Sequence, residues 1–429
     1  MQLTTQEKAM LDGAEGPAKR MAMELLVRYA EALGAERLVE TNNIAGVPGS
    51  STLFLQNYYK NRGGGSFEDI FARFDLDGEG TVPIPKATTN CCHLQGGLDP
   101  ERWREQGQTR EALEHQLEDE REVREHGVQL MKTCTPYLAG NVPAKGEHCA
   151  WMESSAVVYC NSVLGARTNT EGRESTSAAM LTGKIPDWGL HRDEARYGTH
   201  RIEVEAPLES VMDWGMLGYF VGEAVEENIP VITGGPAQAD LLRHKHFGAA
   251  AASSGGVEMY HMVGITPEAA TLEQALGRGK PVETIRYGAA ERRRIYEHLN
   301  AAGSNPQVDY VMLGCPHASV EQMGEAARML EGKRVRSGCH LWVFTSRAAK
   351  SVADLNGSTR IIEAAGGLVM TDTCSAIGRF VPEGAKVVAL DSAKQAHYLP
   401  AMMDVEAWFG TTEDCIQAAV SGRWRGELR

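Results

Sequence analysis

The sequence has no Cys-x-x-Cys pair, no excess of positive charge, and no apolar run approaching the roughly 18–20 residues that span a bilayer. Each absence closes a class of function. Without paired cysteines there is no zinc-ribbon or thioredoxin-type motif. Without a long apolar run, no membrane partner is expected. Lys+Arg 43 against Asp+Glu 57 gives a net charge of -14, with a pI near 5.5. That balance opposes gripping a phosphate backbone, so no nucleic-acid partner is expected either. The opening residues Met1 to Lys8 have neither the basic cap nor the apolar core of a secretory signal, which points to a cytoplasmic location. There is no short-period repeat and no low-complexity tail. Gly234-Gly-Pro236 and Gly255-Gly256 follow neither a dinucleotide nor a Walker fingerprint, so turn chemistry is the better reading for both.

What is present is ordinary globular composition: 42% hydrophobic, 23% charged, mean hydropathy -0.31. At about 150 residues per domain, 429 residues allow two or three domains. Leu11, Met21, Met23, Leu25, Leu26 and Tyr29 follow helical spacing, and Gly34 offers a stop before a strand at 37–41. Residues 42–51 and 63–65 read as loops, 81–85 as strand-like, and 100–132 as one or two exposed helices with a solvated, charge-dense face. Beyond residue 200, β-branched runs alternate with helical segments. Strands are expected at 200–205, 230–233, 257–261, 308–313, 341–345, 368–371 and 386–390. Helices are expected at 207–226, 271–276, 289–302, 320–330, 348–364 and 412–421. Such alternation indicates an α/β fold with at least partly parallel sheets, whose ligands bind beyond the carboxyl ends of the strands.

Nine cysteines are an odd number for a disulfide framework, and most read as small buried hydrophobes. Three stand apart by context. Cys134 lies in Thr133-Cys-Thr-Pro-Tyr137, Cys315 in Gly314-Cys-Pro-His317 after an apolar strand, and Cys374 in Asp372-Thr-Cys374 after another. Three thiolates on turns from three elements suit an iron–sulfur cluster with one iron left open, a Lewis acid rather than an electron carrier. Three buried structural thiols, or a zinc or thiol enzyme built on Cys315 and His317, remain alternatives.

A second concentration runs from Trp151 to Asn169, with Glu153, Ser154, Ser155, Asn161, Ser162, Arg167 and Asn169 interleaved with small apolar residues. Arg167 suits a substrate carboxylate or phosphate, and Glu153 suits a proton acceptor or hydrogen-bond anchor. The competing reading is a buried polar helix whose groups satisfy one another. Thr88-Thr-Asn90-Cys91 offers short polar groups on a loop. Lys394, after a strand, suits an anion but by default reads as a solvated lysine.

Together these segments resemble the large, catalytic part of the aconitase X family, over nearly the whole chain. The resemblance is carried by Leu3 to Gly13, Thr133 to Tyr137, Trp151 to Asn169, Gly314 to Ser319, Thr371 to Cys374 and Ser392 to Tyr398, in the family's order. It implies an aconitase-like catalytic part of several three-layer α/β domains spanning 1–429, with possible sub-domains 1–200, 201–305 and 306–429. It implies an iron–sulfur hydro-lyase acting on a small β-hydroxy carboxylate, known members using cis-3-hydroxy-L-proline or mevalonate 5-phosphate. On matching positions, Cys134, Cys315 and Cys374 resemble the ligands of a 4Fe–4S or smaller cluster. Glu153, Ser154 and Lys394 resemble catalytic positions. Gly46, Val47, Pro48, Asn90, Cys91, Ser155, Arg167 and Asn169 are the expected substrate-binding set. Two departures fall in that set: Pro48 where many members have Ser, and the bulky Cys91-Cys92-His93 after Asn90. Both bear on the substrate rather than on the cluster. No stretch is left for the family's small swivelling domain, so a separate small subunit is the expected partner, with a catalytically silent relative as the alternative.

Overall fold

A computed structural model describes residues 1–46, 83–235 and 239–429. Val47, Pro48, Pro236 and the expected loops at 47–51 and 63–65 lie outside the described residues, as do the first two positions of the strand expected at 81–85. Among the described residues, four sheets order the chain, and three of them are parallel throughout. No described helix is long and apolar enough to cross a membrane.

The N-terminal part holds β1 (Leu38–Glu40), β2 (Asn43–Gly46), β3 (Asn90–His93), β4 (Cys149–Trp151) and β5 (Lys184–Pro186). β1 and β5 pair antiparallel, and the other three form a parallel sheet in the order β3-β2-β4. β2 and β3 fall where the sequence reads as loop. Asn43-Ile-Ala-Gly46 and Asn90-Cys-Cys-His93 carry little β propensity, and only cross-strand pairing inside a buried sheet makes them strands. Between β3 and β4, helix Arg110–Glu125 takes up the charge-dense segment, but Gln116 and Glu120 turn inward and are buried.

The middle part is a four-stranded sheet, β8-β7-β6-β9, of β6 (His200–Val204), β7 (Pro230–Thr233), β8 (His261–Met262) and β9 (Glu283–Tyr287). Helices Val211–Val225 and Leu241–Gly255 pack together so closely that a Cβ on Gly218 would lie 2.2 Å from the Phe247 carbonyl oxygen.

The C-terminal part is a five-stranded parallel sheet ordered β12-β11-β10-β13-β14: β10 (Tyr310–Ala318), β11 (His340–Thr345), β12 (Leu368–Thr371), β13 (Val387–Leu390) and β14 (Glu406–Phe409). The period-2 alternation of a strand sorts its side chains onto two cores. Tyr310, Met312, Trp342, Phe344, Met370 and Val388 face the core shared with helices Val211–Val225 and Leu241–Gly255. Val311, Leu313, Leu341, Val343, Val369 and Ala389 face helices Val320–Leu330 and Thr412–Ser421. The single helix expected over 348–364 is two, Arg347–Leu355 and Ser358–Ala364, because Gly357 sits at φ 78, a left-handed break between them.

Candidate functional site

The carboxyl ends of these parallel sheets converge. Cys315 lies within the last turn of β10, Cys374 three residues past β12, and Lys394 four residues past β13. Glu153 follows β4 of the N-terminal sheet and caps helix Ser154–Ser162. Cys134 lies on the segment that leads from helix Arg110–Glu125 to β4.

Each thiol is aimed by a residue with positive φ just before it: Lys132 at 49° before Cys134, Gly314 at 90° before Cys315, and Asp372 at 69° before Cys374. Gly314 is required there, since a Cβ would stand 2.0 Å from the Phe344 carbonyl oxygen; the register of β10 on β11 shifts beyond that point. Lys132 and Asp372 hold an unfavourable backbone, costing of order 1 kcal/mol each, because their side chains are locked. Lys132 Nζ lies 3.2 Å from Glu120, and Asp372 accepts from Arg347 Nε at 2.9 Å on both oxygens. Burial nonetheless pushes Asp372 up to about 6 against the pull of Arg347.

Lys394 Nζ donates to Glu153 Oε1 at 2.7 Å, and Ser155 Oγ donates to the same oxygen at 2.9 Å. Burial opposes charge on both partners. Their attraction wins, holding Glu153 below its ordinary range and Lys394 above its own. The ammonium acts on all three thiols, while burial raises each of them, Cys374 to about 12. N–H groups point at each sulfur: Gln395 Nε2 donates to Cys315 Sγ at 3.0 Å, the His317 N–H donates to Cys134 Sγ at 3.3 Å, and the backbone N–H groups of Ala376 and Ile377 face Cys374. Lys245, wholly buried on helix Leu241–Gly255, donates to the Pro316 carbonyl at 3.1 Å and the His317 carbonyl at 2.9 Å. Its own burial lowers it to about 8.

The structure therefore brings Cys134, Cys315, Cys374, Glu153, Ser155 and Lys394 into one electrostatic neighbourhood, with Ser154 adjoining Glu153. Lys394 is not a solvated lysine; its side chain is 15% exposed. Of the other described site residues, Gly46 shares the carboxyl edge of the N-terminal sheet with Glu153, and Asn90, Cys91, Arg167 and Asn169 make contacts of their own. In the register Asn43–Asn90–Cys149, Asn90 sits at the amino edge of its sheet, where its Oδ1 accepts from Gln129. Gly46 is at the carboxyl edge, the one that Glu153 follows, where a Cβ would meet Thr176. Cys91 is buried in a core with Met10, Val123 and Met180 because alternation along β3 turns it inward. Arg167 pairs with Asp193 and the His191 carbonyl beside a separate surface cavity of 420 Å³. Asn169 accepts from the Leu190 N–H at 2.8 Å and donates to the Trp188 carbonyl at 3.2 Å, so it braces a turn.

Sequence reasoning named His317 only as a zinc or thiol partner of Cys315, and missed Gln395, Lys245, Thr133 and Thr373 as parts of the site. Gln395 lies beside Lys394, already singled out; Lys245 carries no local signal at all.

The donor set fits an iron–sulfur cluster. Three buried thiols, each receiving N–H groups at sulfur, match the usual surroundings of cluster ligands. No group of three or more His, Cys, Asp or Glu among the described residues is close enough to share one metal ion. Thiolates on different irons of a cluster stand farther apart than ligands of a single ion. Both ring nitrogens of His317 are engaged, by Thr133 and Thr373.

Comparison with known proteins identifies the family. Family models described as the aconitase X first, second and third domains match residues 1–194, 198–297 and 308–421. The phosphomevalonate dehydratase large subunit of Methanothermobacter thermautotrophicus is 39% identical over 403 residues, covering 94% of this chain and 94% of that protein. The cis-3-hydroxy-L-proline dehydratase of Pseudomonas aeruginosa is 35% identical, over 97% of this chain and 70% of that protein. The crystal structure of holo-form aconitase X from Thermococcus kodakaraensis superposes with a TM-score of 0.81 at 31% identity, covering 98% and 100% of the two chains.

Proposed function

The chain belongs to the aconitase X family and is a hydro-lyase, and from that premise we propose that it removes water from a small β-hydroxy carboxylic acid with an iron–sulfur cluster held by Cys134, Cys315 and Cys374. The observation that carries the proposal is the gathering of those three thiols around the Lys394–Glu153 pair.

Eliminating water from such a substrate requires an acidified α-carbon and a polarised leaving hydroxyl. The cluster, when bound, supplies a Lewis-acidic iron for that hydroxyl. Lys394 holds the substrate carboxylate, and its charge draws electron density from the α-carbon. Glu153 keeps Lys394 protonated and aimed. With its charge stabilised this way it is a weak base, so its part is anchoring rather than abstraction. Ser154, the first residue of helix Ser154–Ser162, adjoins Glu153 and offers its hydroxyl as a hydrogen-bond donor to the bound acid.

Relatives named large subunits support a small partner subunit that completes the site, and their names supply two substrates to try, mevalonate 5-phosphate and cis-3-hydroxy-L-proline. All nine cysteines are free, which suits the reducing cytoplasm. The test is anaerobic purification with and without a co-expressed small subunit, then visible absorption, iron and sulfide analysis, and dehydration assays on both acids. Matched iron and sulfide with loss of water from either acid supports the proposal. A colourless chain that resists reconstitution overturns the cluster, and full turnover by the isolated chain overturns the partner.

A further inference from the structure

We infer that His317 is the positioning residue that sets the spacing of Cys134 and Cys374 about Cys315, an inference that rests on reading the three thiols as one ligand set. His317 is 1% exposed, and its four polar groups go to four partners. Its N–H donates to Cys134 Sγ at 3.3 Å, and its carbonyl accepts from Lys245 Nζ at 2.9 Å. Nε2 lies 2.9 Å from the Thr373 carbonyl oxygen, and Nδ1 lies 2.9 Å from Thr133 Oγ1.

The tautomer follows from the partners. A carbonyl has no hydrogen to give, so Nε2 carries the proton, and Nδ1 of the neutral ring accepts from the Thr133 hydroxyl. That hydroxyl accepts in turn from the Thr135 N–H at 3.1 Å. Thr133 immediately precedes Cys134, and Thr373 immediately precedes Cys374. One rigid ring, two residues past Cys315, thus spans the residues before the other two thiols. It ties together loops whose backbones are held at left-handed Lys132 and Asp372. Lys245 fixes the ring's own backbone from the middle part of the chain. His317 touches no reacting atom in this reading; it acts through the thiols.

Two substitutions divide the ring's work. His317→Asn keeps an oxygen within reach of Thr133 but loses the Thr373 carbonyl, whereas His317→Gln keeps an N–H for Thr373 and loses the Thr133 hydroxyl. Thr133→Val removes the same hydroxyl while leaving the ring in place. The readouts are the alkylation rate of each cysteine in the metal-free full chain, followed by mass spectrometry, and the rate of iron loss from the reconstituted protein to a chelator. Losing one buried hydrogen bond should speed labelling at the released loop by about tenfold. The asparagine variant should expose Cys374 more than Cys134; the glutamine and valine variants should do the reverse. Both histidine variants should shed iron about tenfold faster than the wild type. Labelling and iron loss within about twofold of wild type in folded variants, or equal release of both thiols, would overturn the inference. Failure of the underlying ligand assignment looks different: the wild-type chain itself would take up no cluster.

Discussion

Lys394 Nζ and Glu153 Oε1 stand 2.7 Å apart across 241 positions of chain, joining the end of the C-terminal sheet to the end of the N-terminal one. The pair makes a site at this junction, because each charge is tolerable in partial burial only beside the other.

Lys394→Met should lower turnover by at least about 100-fold while visible absorption and iron content stay near wild type, since the cation acts on substrate rather than on the thiols' integrity. Glu153→Gln withdraws the charge that keeps the Lys394 pKa high. Burial should then lower it, and the alkaline limb of the pH–rate profile should move to lower pH. Loss of the cluster in either variant would contradict the division of roles.

Cys315→Ser should bleach the chromophore and abolish turnover. Cys415→Ser changes an equally buried cysteine in the core under helix Thr412–Ser421, and should leave the spectrum and the activity intact. Equal losses in the two would mean that the cysteines serve packing alone.

Arg167→Met is the matching control for the substrate-binding expectations. Its guanidinium is held by Asp193, which is largely exposed, and by the His191 carbonyl. An exposed pair contributes on the order of 0–1 kcal/mol, so kcat/KM should stay within about threefold and stability should change little. A collapse in kcat/KM alone would return Arg167 to the site.

Gly218→Ala should destabilise the fold by roughly 1–3 kcal/mol, the range for overpacking. The obstacle is the backbone of Phe247, which cannot swing aside as a flexible side-chain end can. Chemical denaturation decides it. An unchanged midpoint would show that the two helices have slack.

Asp391, buried beside Thr412, is pushed up to about 6 by burial. Between its unfolded value and 6 the native state holds this proton more tightly than the unfolded chain. Its contribution to stability is therefore full below about pH 4 and lost as pH rises through 6. Asp391→Asn mimics the protonated carboxyl, so it should melt above the wild type at pH 8, with the gap closing by about pH 4. A gap independent of pH would refute the account.

Much of this chain is legible in one dimension. The strands expected at 230–233 and 368–371 and the helices at 320–330 and 412–421 end where the sequence puts them, because Ser319 and Thr411 cap those helices and the apolar runs are bounded by turns. Cys134 and Cys374 stand out because each lies on an irregular segment beyond a regular element, whereas Cys315 lies inside β10 and Lys394 in the first turn of helix Ala393–Met403. Asn90, Cys91, Arg167 and Asn169 are engaged by neighbours that residue type does not reveal, because it states what a side chain is able to do, not what surrounds it. The short strands β2, β3, β4 and β5 are invisible locally; partners distant in sequence supply their hydrogen bonds.

The sequence alone determined the alternating α/β plan, the three cysteines that stand apart by context, and the acidic balance of the chain. These depend on periodicity, capping and summed charge, which are local or additive quantities. Only the tertiary structure decided that Lys394 pairs with Glu153, that Lys245 and His317 brace the cysteine turns, and that Arg167 is already taken. Those outcomes depend on burial and on contacts between residues some 24 to 241 positions apart, which no local pattern encodes.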